Sequence, residues 1–112
     1  MSLPEAAGTS AAGEFRLAAG PGAALAATGP LTFVTARRAW QLGLAVLAGA
    51  AGTREIDCHG ITHSDSAGLA VLLEWLSAAR RSGRSLRYTQ LPAGLAALAR
   101  ISDVQELLER GV

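Results

Sequence analysis

The sequence predicts an α/β domain, a small mixed β-sheet of about four to five strands with helices packed on it. Three observations predict it. Short strand-like segments alternate with longer stretches whose apolar residues recur at helical spacing, the pattern of a sheet joined by helical crossovers. The 112 residues are 50% apolar and 17% charged, the balance of one globular core. Gly and Pro gather at the breaks between segments.

The elements follow in order. Residues 1–13 are rich in Ala, Gly, Ser and Pro and read as a flexible N-terminal tail, with residues 14–112 forming a single domain. Glu14 to Ala18 alternates weakly, as a first strand would. Gly20-Pro21-Gly22 reads as a turn, and Ala24 to Ala27 as a second strand. Gly29-Pro30 reads as a break, after which Leu31-Thr32-Phe33 continues the edge of the sheet. From Thr35, a plausible N-cap, the period changes. Ala36, Ala39, Trp40, Gly43, Leu44 and Leu47 lie on one helical face, and Gly49 and Gly52 end that helix. Arg54 to Cys58 reads as a strand, followed by a loop from His59 to Asp65. Leu69, Leu72, Leu73 and Leu76 make a second helical stripe, closed at Ser82-Gly83. Ser85 to Gln90 alternates as a strand. Pro92 suits the first turn of a third helix, which turns Leu95, Leu98, Ala99 and Ser102 inward. Val104, Leu107 and Leu108 form a last short helix after a cap at Ser102 or Asp103. The order is β-β-α-β-α-β-α-α.

Composition narrows the function. All ten basic residues are Arg, net charge is +1, and neither half has the basic excess of a nucleic-acid binder. The 24 alanines and few aromatics make a core of Leu, Val, Ile and Ala. A lone cysteine, Cys58, leaves no internal disulfide and suits a reducing compartment. The first residues lack the charged and apolar regions of a secretory signal. The longest apolar stretch, Leu42 to Ala51, is short of the roughly 20 residues that span a bilayer. A soluble cytoplasmic protein is expected.

One segment stands out: Ser64-Asp65-Ser66-Ala67-Gly68-Leu69, where a strand gives way to a helix. The crevice beyond the carboxyl ends of strands is a common binding position in open α/β sheets. A helix start there offers free N–H groups and partial positive charge. Ser64, Asp65 and Ser66 are all good caps, so a simple cap explains them equally well. Gly68 costs about 1 kcal/mol against Ala in a helix. It removes a side chain where another surface could approach.

GPLTFVTA at residues 29–36, Arg54-Glu55-Ile56-Asp57, the DSAGLAVLLEWL run at 65–76 and the strand SLRYTQLP resemble a STAS domain. Its characteristic Asp-Ser/Thr-Ser/Gly/Ala-Gly-Leu stretch is matched by Asp65, Ser66, Ala67, Gly68 and Leu69, and the likeness covers roughly residues 14–110. That family includes the anti-sigma factor antagonists. Residues 64–108 are most similar to the branch that supplies the STAS subunit of the Mla phospholipid-transport ABC complex. The resemblance implies a small, non-catalytic cytoplasmic subunit with no cofactor. It would bind the transporter's ATPase and reach the inner membrane only through that complex, which maintains outer-membrane lipid asymmetry. In the antagonist branch, the residue matching Ser66 is phosphorylated by a partner kinase. Ala67 departs from the Ser common there and tilts the reading towards docking. The partner-contact residues implied are Ser64, Asp65, Ser66, Ala67, Gly68 and Leu69.

Other constellations of residues point elsewhere more weakly. Asp57, Cys58, His59, His63 and Asp65 are metal-ligand types, but their spacing matches no zinc pattern, so no metal is expected. Ser64 or Ser66 beside His63 lacks a nucleophile elbow and a third group, so no catalytic residue is assigned. Arg80, Arg81, Arg84 and Arg87 read as a solvated helix end or as a modest patch for an acidic partner or lipid headgroups. Val71, Trp75 and Ala78 lie off the leucine stripe, so that helix is buried on more than one side. Trp75 is either packed under a neighbour or, as assigned here, a partner-contact anchor.

Overall fold

A computed structural model describes residues 13–20, 24–49 and 54–112. Among the described residues, four strands and four helices follow in the order expected. The strands are β1 (Arg16–Ala19), β2 (Ala24–Leu31), β3 (Arg54–Ser64) and β4 (Leu86–Thr89). The helices are α1 (Ala36–Gly49), α2 (Ser66–Arg81), α3 (Ala93–Ile101) and α4 (Gln105–Arg110). The sheet order is β1-β2-β3-β4. β1 pairs antiparallel with β2, while β2–β3 and β3–β4 are parallel, so the sheet is mixed. The expected tail at residues 1–13 falls, except for Gly13, outside the described residues, as do the Pro21-Gly22 turn and Gly52.

Parallel neighbours laid down in one direction, each joined by a right-handed crossover, place their helices on one face of the sheet. α1 and α2 accordingly pack side by side, and α2 also touches α3 and α4. Strand alternation fits two layers. Ala27, Leu31, Ile56, Cys58, Ile61, Leu86 and Tyr88 are buried under the helices. The opposite face carries Arg16, Thr28, Glu55, Asp57 and Arg87, with Arg87 paired to Glu55 across β3 and β4.

β2 and β3 are longer than the sequence suggests. β2 runs through Gly29-Pro30, and β3 runs to Ser64 through what reads as a loop. The cause is two bulges. Ala26 pairs with Asp57 and Thr28 with Gly60, so Ala27 faces two residues of β3. Gly29 pairs with Ile61 and Leu31 with Ser64, so Pro30 faces Thr62 and His63. A proline fits where no ladder donor is needed. The Asp57 carboxylate accepts from the displaced His59 N–H at 2.9 Å. Each bulge breaks the two-residue period, so Cys58 and Ile61 are both buried although three positions apart.

Smaller departures have local reasons. Phe33 lies in a turn rather than in the sheet edge. Trp40 is partly exposed at the margin of the α1 stripe. Ser102 is exposed, and Asp103 takes a positive φ of 63°. Val104, not Ser102 or Asp103, precedes α4, and no side chain caps it.

Candidate functional site

Asp65 stands between the end of β3 and the start of α2. Its backbone is extended, as at an N-cap, and its Oδ1 accepts from the Gly68 N–H at 3.0 Å. Its Oδ2 accepts from the Phe33 N–H, also at 3.0 Å. One carboxylate therefore ties the α2 start to the turn that follows β2. These two backbone N–H groups, Phe33's foremost, hold its pKa below the ordinary 3.8.

The tethered turn, Thr32 to Thr35, is saturated with hydrogen bonds. The Thr35 hydroxyl accepts from the Thr32 N–H at 3.0 Å and donates to the Pro30 carbonyl at 2.9 Å. The Thr32 hydroxyl accepts from the Val34 N–H, and the Thr32 carbonyl from the Thr35 N–H. With its donors satisfied, the turn presents Phe33 and Val34 to solvent at 79% and 84% exposure. Two adjacent large apolar side chains held out by an ordered backbone make a candidate contact surface. Sequence reading missed both, having taken Phe33 for strand. An apolar pair bounded by Pro30 and a Thr-rich turn was the available signal.

A groove of about 340 Å³ opens after this turn, between the N-terminal halves of α1 and α2. Its apolar lining comes from Trp40 on α1 and from Ala67, Ala70 and Val71 on α2. Arg37 stands on the α1 wall and Glu74 on the α2 wall. Ser66 is exposed as the first residue of α2, and Ala67 is half-buried where the helix meets the groove. Ser64 is half-buried at the end of β3. Asp65, Ser66 and Ala67 thus stand together at the α2 start, while Ser64 lines a separate hollow with His63 and Pro92.

The remaining assigned residues point inward, and their reading is corrected. Trp75 has no exposed surface. Its Nε1 donates to the Trp40 carbonyl at 3.3 Å, and its ring lies 5.9 Å from that of Phe15. A Cβ on Gly43 would sit 2.0 Å from Nε1, so the indole rests on bare α1 backbone. Trp75 anchors α2 to α1, not to a partner. Leu69 is buried in the core. Gly68 does allow a close approach, but the approaching surface is the chain's own β2, since a Cβ there would lie 2.0 Å from the Leu31 carbonyl oxygen.

The metal-type residues do not converge. Cys58 points into the core, where burial first and the Asp57 charge second push its thiol up to about 12. His59 and His63 are exposed. Among the described residues, no group of three or more His, Cys, Asp or Glu side chains is arranged around a common point.

A family model described as Mlab, STAS domain, matches residues 16–109. No match is found among curated proteins. The matched span runs from the first residue of β1 into the last turn of α4 and includes the Asp65–Leu69 stretch. The chain belongs to the Mlab-type STAS domain family.

Proposed function

We propose that this chain is a non-enzymatic subunit that binds and supports the ATPase of an ABC phospholipid-transport complex maintaining outer-membrane lipid asymmetry. It works in the cytoplasm and meets the inner membrane only through that complex. STAS domains generally act through protein–protein contacts, and the Mlab-type family supports the transporter assignment. No described helix is long and apolar enough to cross a membrane. The observation that carries the reading is the exposed surface around Ser66, which joins the α2 start, the Phe33–Val34 turn and the groove. Co-expression with the complex's ATPase subunit tests it. The expected result is a stable co-purifying complex that Ser66→Arg disrupts without lowering the melting temperature. No complex, or one indifferent to Ser66→Arg, overturns it.

A second reading, an anti-sigma factor antagonist, is favoured by one fact: Ser66 is exposed at the first residue of a long helix. A phosphate there would add about −1.5 to −2 charge to the docking surface. Incubation with the organism's partner-switching kinases, followed by intact mass, tests this. A mass increase of one phosphate that Ser66→Ala abolishes supports it, and an unchanged mass refutes it.

A further inference from the structure

The groove has features that the docking reading does not use. Its floor and walls are apolar, with Trp40, Ala70 and Val71 lining it and no convergent set of polar donors of the kind that orients a small ligand. The α2 wall presents Ala67, Ala70, Val71 and Glu74, spaced i, i+3, i+4 and i+7. That is the ridge pattern against which another helix packs, and the alanines let its backbone come close. The two charges at the groove have opposite signs on opposite walls, Arg37 on α1 and Glu74 on α2. Both are exposed, and among the described residues neither forms an ion pair. The Phe33–Val34 turn adds a further apolar contact beside Asp65.

We propose that the α1–α2 groove receives an amphipathic helix of the ATPase partner, with an acidic side chain facing Arg37 and a basic one facing Glu74. This rests on the docking reading and assigns its partner element. The apolar face of the helix covers Trp40, Ala70 and Val71, and Phe33 and Val34 close over its flank. Such a helix uses anchors at i, i+3 or i+4, and i+7. The rim charges select its direction and register more than they add affinity.

The experiment measures affinity for the purified ATPase subunit by titration calorimetry. It compares wild type with Ala70→Arg, Arg37→Glu, Glu74→Arg, the double reversal Arg37→Glu/Glu74→Arg, and Ser66→Arg. All four positions are exposed, so melting temperatures are expected to match wild type, and circular dichroism checks this. Ala70→Arg is expected to weaken binding about tenfold or more, the effect of obstructing a central contact. Each charge reversal weakens it several-fold, and the double reversal does not recover. A photo-crosslinker at residue 70 is expected to label one helical segment of the ATPase. If Ser66→Arg weakens binding and the groove variants do not, the groove proposal is overturned while the docking reading stands. If none of the five weakens it, both fall. A second copy of this chain would be a different occupant. Under two-fold symmetry, Arg37 would meet the other copy's Glu74, and the double reversal would keep that pairing. Self-association that survives the double reversal but is lost in either single reversal overturns the proposal.

Discussion

A carboxylate with two backbone donors is worth more to this molecule than the hydroxyl beside it. Asp65 already caps α2, so Ser66→Ala is expected to cost under about 1 kcal/mol in a denaturant melt. Asp65→Asn keeps one acceptor oxygen and surrenders the other tie, so the Thr32–Thr35 turn is expected to loosen and, on the proposed docking, ATPase affinity to fall with it. The pKa of Asp65 is lowered on folding, so the stability it lends is present above the ordinary 3.8 and is lost as pH falls through the folded value. Acid melts of Asp65→Asn should therefore lack the part of the low-pH loss that wild type shows. Gly68 works differently. Gly68→Val drives a side chain into the Leu31 carbonyl, and overpacking of that kind costs about 1–3 kcal/mol. The melting temperature is expected to drop by at least about 4 °C, roughly the least that 1 kcal/mol shifts a domain of this size. The oddity of a glycine in a first helical turn was legible in the sequence. Which surface it admits was not, because Leu31 is 37 positions away in the chain.

At the scale of elements, periodicity was the readable part. The helical stripes of α1 and α2 and the alternation in β4 survive because one face of each meets the core throughout its length. β3 failed this test for a physical reason. Its bulges swap faces at His59 and again near Thr62, so no two-residue period crosses residues 59–64. The Thr32–Thr35 turn escaped notice because hydrogen bonds to Thr35 and Asp65, not propensity, hold it. Trp75 could be read either way from sequence, since a helix apolar on two sides gives no sign of whether a neighbour or a partner covers the second. Gly43 decides it, and only contact between α1 and α2 reveals that pairing. Gly43→Ala is expected to destabilise the fold by about 1–3 kcal/mol, against the gain that helix propensity alone would give. A melt in which Gly43→Ala equals or exceeds wild type contradicts the packing described.

The whole molecule has an unusually simple alkaline chemistry. It has no Lys, and its single Cys and single Tyr are both buried. Desolvation raises Cys58 to about 12 and Tyr88 well above 10.0, and the Tyr88 hydroxyl donates to the Leu72 carbonyl at 2.6 Å. Both groups hold their protons more tightly when folded. Stability is thus complete below the unfolded thiol value of 9.0 and falls above it by about 1.4 kcal/mol per pH unit, with Tyr88 adding a like slope above 10.0. Cys58→Ala should move the onset of that fall upward, towards the tyrosine's 10.0. This core holds the sheet and helices beneath one surface on which the cap at Asp65 orders apolar groups that the core does not use. On the proposed function, the ATPase docks on that surface. Hydrogen exchange of the chain, alone and saturated with the ATPase subunit, tests it most directly. New protection is expected mainly at residues 32–40 and 64–74, with the polar sheet face around Glu55 and Arg87 unchanged. Protection centred on that sheet face or on α3 and α4, with residues 32–40 and 64–74 unaffected, would contradict it.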